Sequence, residues 1–79
     1  MLSIKILSPS GCIYEGKATH VSFPGELGSF SVYPFHAPLV STLVKGNIVC
    51  FLPDEDKQTF SIDSGFVEVA ANQIIACIE

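Results

Sequence analysis

Arginine and tryptophan are both missing from this sequence. Lys5, Lys17, Lys45 and Lys57 are its only strong cations, against eight carboxylates, and the net charge is −4. Phosphate binding needs clustered Lys and Arg, so nucleic acid is not an expected partner. Anionic substrates and acidic membrane surfaces are unexpected as direct ligands for the same reason. No apolar run reaches the roughly 18 residues of a membrane span. The start, "MLSIKILSPSG", has a single lysine, no long apolar core and no small-residue cleavage site, which argues against a signal peptide. A phosphate-cradling Gly-Lys-Ser/Thr element is also missing, which argues against nucleotide binding; no cofactor is expected. The three cysteines, Cys12, Cys50 and Cys77, are odd in number and far apart. That spacing suits neither a zinc site nor a disulfide framework and predicts reduced core thiols.

What is present is apolar and alternating. At 79 residues, 48% of them hydrophobic, the chain reads as one domain over residues 1–79. A fold of this size buries only about 60% of its extended surface. The hydrophobic period is two almost throughout. Leu2, Ile4 and Ile6 alternate with Ser3 and Lys5, Phe30 and Val32 with Ser29 and Ser31, and Phe60 and Ile62 with Thr59, Ser61 and Asp63. Ile74, Ala76 and Ile78 share a face. Turn signals separate these runs at "SPSG" (8–11), Gly16, "PG" (24–25), "KGN" (45–47), "PDEDK" (53–57), "SG" (64–65) and Asn72. The pattern predicts an all-β fold: a small sandwich of two mainly antiparallel sheets with nine to ten short strands.

Two strands are apolar on both faces. Leu39 and Leu43 oppose Val40 and Val44; Ile48, Cys50 and Leu52 oppose Val49 and Phe51. A small sandwich buries one face of each sheet and leaves the other wet. Either a partner covers part of the outside, or sheet curvature hides both faces near a corner.

Catalytic signals are weak. "DSG" (Asp63–Gly65) with His36 upstream resembles parts of a hydrolase triad. Adjacent strand residues point to opposite faces, however, so one histidine cannot easily meet both Asp63 and Ser64. His20 reads as a satisfied or surface strand residue, and no metal site is expected. The three acids of "PDEDK" lack the ligand spacing of a calcium loop and read as a solvated hairpin.

The densest stretch is "PGELGSFSVYPFHAPL", Pro24 to Leu39, with three prolines, two glycines, three aromatic rings and a histidine. Pro34 and Pro38 fix their own φ and push Tyr33 and Ala37 toward extended geometry. They cannot donate to a ladder, so this segment belongs at an edge or outside a sheet. The result is a stiff loop presenting Phe35 and His36. Two uses are open: these side chains anchor a partner, or they fold back and cap the core.

This stretch and its surroundings resemble the N-terminal β-domain of the epsilon subunit of F-type ATP synthases. The resemblance rests on His36-Ala37-Pro38 together with "FSIDSGFVEV", supported by "IKILSPSGCIYEG", Gly46 with Ile48, and "NQIIACIE". Counting back from His36 without gaps places Gly28 on a family glycine, Ser29 on a position commonly acidic, Phe30 on an apolar one and Ser31 on another glycine. Phe35 stands where glycine is common. The resemblance implies a non-catalytic rotor subunit that joins the gamma subunit to the polar loops of the c-ring, with Gly28, Ser29, Phe30, Ser31, Phe35, His36 and Pro38 as partner-binding residues. It implies a peripheral position on the cytoplasmic side of the inner membrane, held there only through the complex. Family members commonly continue into a helical domain; a chain ending at Glu79 is expected to lack that regulatory arm and to bind no ATP. The alternative is a stand-alone β-sandwich interaction module with no rotary role.

Overall fold

The period-two pattern becomes nine β-strands and no helix in a computed structural model that describes residues 1–79. The strands are β1 (Leu2–Ser8), β2 (Gly11–Ala18), β3 (His20–Gly25), β4 (Gly28–Val32), β5 (Leu39–Leu43), β6 (Gly46–Phe51), β7 (Lys57–Ile62), β8 (Gly65–Ala70) and β9 (Gln73–Ile78). They lie in the order β2-β1-β9-β8-β5-β3-β6-β7, with β4 on the remaining edge of β3. Every pairing is antiparallel except that of β1 with β9.

The two layers of the sandwich are one sheet folded over. The first layer is β2-β1-β9-β8-β5 and the second is β4-β3-β6-β7; Gly25 opposite Leu43 joins them. At that corner the Val44 amide donates to the Pro24 carbonyl (2.9 Å) and the Glu26 amide to the Thr42 carbonyl (3.0 Å). The chain therefore bends from β5 into β6 while both keep to the same edge of β3. Gly46 makes the bend possible, because a methyl group built on it would lie 2.7 Å from Pro24 Cβ.

The core is the inward half of each alternation. Leu2, Ile4, Ile6, Val21, Phe23, Val32, Leu43, Ile48, Val67, Val69, Ile74 and Ala76 are buried in one cluster, and no polar side chain is buried among them. Tyr14 of β2 and Phe60 of β7 meet at 5.1 Å between ring centres, so the two terminal strands of the sheet face each other across an aromatic contact. Two sequence expectations need correction. Gly16 marks no turn: it lies inside β2, tucked beneath the Tyr14 ring. Pro24-Gly25 ends β3, and the turn itself is Glu26-Leu27.

Candidate functional site

The predicted partner-binding residues lie on strand β4 and in the connection that follows it, and β4 holds the two groups toward opposite ends of the sandwich. Its five residues separate those ends by roughly 13 Å at about 3.3 Å per residue. Gly28 and Ser29 lie at one end, beside the hairpin tip Glu26-Leu27. Phe35, His36 and Pro38 lie at the other, in the Tyr33–Pro38 connection to β5.

At the first end the turn is tight because Gly25 and Gly28 face each other across it. Gly28 has φ 126°, a backbone region that L side chains rarely adopt. Gly25 has no room for a side chain: a methyl group there would meet the Gly28 carbonyl at 2.6 Å and the Phe30 ring at 2.8 Å. Phe30 points inward, packing at 5.6 Å from Phe23 and against the core, so it supports the hairpin from below. Leu27, at the apex, is fully exposed, and Ser29 and Ser31 face solvent.

At the second end, the Tyr33 carbonyl accepts a hydrogen bond from the His36 amide at 3.2 Å. Pro34 takes the second place of this turn and Phe35, with φ 66°, the third. That is the type II pattern, whose third place ordinarily takes glycine. A bulky side chain at positive φ needs outside support. Asn72 supplies it: its Oδ1 accepts the Phe35 amide at 2.6 Å. Asn72 is itself positioned by the β8–β9 hairpin, where Ala71 (φ 51°) and Asn72 (φ 61°) both have the positive φ of a type I′ turn. Its carbonyl also accepts the Ser3 amide at 2.9 Å. The sequence marks Asn72 as a turn residue only; nothing in the spacing between residues 35 and 72 signals the contact.

The loop does not cap the core. Phe35 is 88% exposed, and His36 and Pro38 are exposed beside it. The His36 Nδ1 donates to the Ala37 carbonyl at 2.7 Å, which holds the ring close to its own backbone. Behind the loop runs an aromatic ladder. The His20 ring stacks on Tyr33 (4.9 Å) and on Phe51 (4.2 Å), and its Nδ1 lies 3.2 Å from Thr19 Oγ1. His20 is thus engaged in packing. Asp63 and Ser64 lie at the hairpin end, where their backbones bond Glu79, at the opposite end from His36.

Of the two-faced strands, β5 exposes its second face and β6 does not. Val40 is 72% exposed and Phe66, on neighbouring β8, 53%. Both lie on the outer face of the first layer with Ile75 of β9. Phe51 of β6 is instead half-covered by His20. A shallow surface depression of about 330 Å³ is lined in part by Ser3, Lys5, Glu15, Lys17 and Ile74.

The cysteines are free thiols, but only Cys50 is a core thiol. Burial pushes its pKa up to about 11. Tyr14 is also raised, by burial first and then by the negative charge that ionised Cys50 would carry. Cys12 is exposed and Cys77 half-buried. Cys12 departs from expectation because the register of β1 and β2 shifts between Ile6 and Leu7, so apolar residues of β2 beyond the bulge no longer point inward. No group of three or more His, Cys, Asp or Glu side chains is placed to hold a metal.

A family described as "ATP synthase, Delta/Epsilon chain, beta-sandwich domain" matches residues 1–79. The ATP synthase epsilon chain of a Nitratiruptor species is 44% identical over 78 residues, covering 99% of this chain and 60% of that protein. The ATP synthase epsilon chain of Chlorobium limicola is 34% identical over 76 residues, covering 96% of this chain and 86% of the relative. Against the first of these, the chain spans 60% of the relative's length. A chain in the cryo-EM structure of the Euglena gracilis mitochondrial ATP synthase (OSCP/F1/c-ring) shares the fold with a TM-score of 0.92 and 15% identity, over 98% of this chain and 49% of that one. A chain of the Tetrahymena thermophila mitochondrial ATP synthase central stalk and c-ring gives a TM-score of 0.79, also at 15% identity, over 98% of this chain and 62% of that one. A family match that runs from the first strand to the last, on a fold with the expected alternation and turns, places this chain in the β-sandwich domain family of ATP synthase delta/epsilon chains.

Proposed function

We propose that this chain acts as a non-catalytic rotor component of an F-type ATP synthase. It joins the gamma subunit to the polar loops of the c-ring, so that ion-driven rotation reaches the catalytic head as torque. The observation that carries this reading is the match to ATP synthase epsilon chains across all nine strands. The geometry supports it. A coupling joint must be stiff and must present apolar anchors that are already ordered, because ordering them on binding costs affinity. Phe35 is such an anchor: exposed, and fixed by Pro34 and the Asn72 bond.

The proposed contacts fall at two separate places. The Phe35, His36 and Pro38 loop forms one, and the hairpin tip around Gly28 and Ser29 forms the other, with Ser31 on the strand between them. A subunit that bridges two neighbours needs two contact regions, and the roughly 13 Å length of β4 holds these apart. Phe30 contributes from within by fixing the hairpin, with Gly28, Ser29 and Ser31 on the surface. In this role the chain binds no nucleotide and reaches the membrane only through the complex, on its cytoplasmic face.

The test is reconstitution of a purified ATP synthase stripped of its epsilon subunit. Adding this chain is expected to restore proton pumping driven by ATP hydrolysis. Strong suppression of hydrolysis with no gain in pumping contradicts the proposal, and failure to bind the complex at all favours a stand-alone interaction module.

A further inference from the structure

We infer that the free edge of β4 is a docking site for an extended strand of a partner protein, which joins the second layer by backbone hydrogen bonds through Ser29 and Ser31. Pro24 fixes which way the β4 backbone groups point. It sits opposite Ser29 and has no N–H to give, and its carbonyl is already turned to Val44 on the far side of β3. The bonded pairs between β3 and β4 are therefore Val21 with Val32, Phe23 with Phe30, and Gly25 with Gly28. Ser29 and Ser31 point their N–H and C=O groups the other way, where no strand lies. The result is two donors and two acceptors along an open edge, with a repeat of roughly 6.8 Å that an extended backbone matches.

The two terminal edges of the sheet are protected and this one is not. β2 has a bulged register and carries Glu15 and Lys17; β7 carries Lys57; and the two face each other across Tyr14 and Phe60. Charge, proline and bulges are the usual means of blunting an edge. β4, "GSFSV", has none of them. A second copy of this chain is a poor occupant. Two five-residue strands paired edge to edge bury far less than the roughly 1,200 Å² of a stable association. A larger partner can add its strand here and continue over the exposed Leu27 and Tyr33 at either end. The added strand is uncharged, with small side chains on the side of Ser29 and Ser31 and apolar ones on the side of Phe30.

The partner is sought in the rotor, so this inference rests on the function proposed above. The measurement is hydrogen–deuterium exchange at the Ser29 and Ser31 amides, in the isolated chain and in the assembled ATP synthase. Fast exchange in isolation and slowing by at least ~100-fold in the complex is expected, since amides in a paired ladder open only with the sheet. Fast exchange in a complex that retains the chain overturns the strand-addition site alone. Failure of the chain to assemble overturns the rotor reading and this inference together. Protection already present in the isolated chain overturns the claim of a free edge. Ser31→Pro supplies a second readout, because it removes an outward N–H without touching the β3–β4 ladder. It should lower retention in the complex by ~10-fold or more while Ser31→Thr does not; equal retention contradicts the site. If Ser31→Pro fails to fold, Ser29→Pro gives the same comparison.

Discussion

The two ends of β4 solve the same problem, reversing a chain tightly at a surface, in opposite ways. The Glu26-Leu27 turn is built from its own residues. Gly25 and Gly28 have the backbone freedom and the absence of side chain that the turn requires, and Phe30 packs against that absence. The Tyr33–Pro38 loop is not self-sufficient. It places Phe35, a bulky residue, at φ 66°, and relies on Asn72 from a hairpin 37 positions away. One end is therefore specified locally and the other by tertiary structure. A loop that tolerates this strain exposes an aromatic ring where glycine would expose nothing, and strain held in place by the surrounding fold is a recurrent feature of functional surfaces.

That contrast can be broken by substitution, beginning with the most sensitive position. Gly25→Ala should cost about 1–3 kcal/mol or more, because the new methyl collides with the Gly28 carbonyl and the Phe30 ring. In a domain of this size that lowers Tm by roughly 5–20 °C, measurable by calorimetry or circular dichroism.

The layer between the two ends provides a pH probe of comparable size. The Cys50 thiol has its pKa raised to about 11 by burial, so the folded state favours the protonated form. Its contribution is full below the unfolded thiol's pKa and is lost as pH rises through the folded value. Stability should therefore fall between about pH 9 and 11, by about 2–3 kcal/mol at most. Cys50→Ala should flatten that fall, and a slope unchanged by the substitution would contradict the assignment. Under native conditions Cys12 should alkylate first and Cys50 only on unfolding, as read by mass spectrometry.

Asn72→Ala should cost about 1–2 kcal/mol, combining a lost hydrogen bond with a positive φ that alanine adopts poorly. Asn72→Gly separates the two terms, since it keeps the backbone conformation and loses only the acceptor. In both variants the Phe35 amide should exchange faster, while the hairpin at the opposite end keeps its protection. Equal loosening of both ends would mean that the loop is not specifically latched.

The smallest effect is expected from Phe35→Gly. Relief of the positive φ should raise stability slightly, by about 0.5–1 kcal/mol, because the exposed ring contributes little to the core. A clear loss in Tm would show that the ring packs against the fold after all.

These contrasts explain how far the sequence could be read. Alternation located the strands and the core, because burial of every second residue leaves its mark on residue type: Ile4, Val32, Ile62 and Ile74 all face inward as their alternation required. Turn residues located most of the reversals. Gly16 was misleading because glycine also serves where a neighbouring ring lies flat on the backbone, and Tyr14 does that here. The joining of the two layers was not visible, since it depends on a bend at Val44-Lys45 and a single residue pair, Gly25 with Leu43. At the candidate site, prolines announced a stiff loop at an edge or outside a sheet, but not whether it is exposed, and two further features escaped. One is the Asn72 latch, a long-range bond from a common turn residue. The other is the separation of Gly28 from Phe35: residues seven apart look adjacent in a sequence, yet an extended strand carries them to opposite ends of the molecule.

The central claim is that the strained loop exists to hold a partner and not to hold the fold. Phe35→Ala combined with His36→Ala tests it directly, by thermal melt and by co-purification with the gamma and c subunits from solubilised membranes. Truncation of an interface anchor typically costs at least about 2 kcal/mol of binding. The account predicts a Tm within a few degrees of the parent protein, with co-purification reduced by roughly 30-fold, the equivalent of that energy. A large fall in Tm with co-purification unchanged would contradict it.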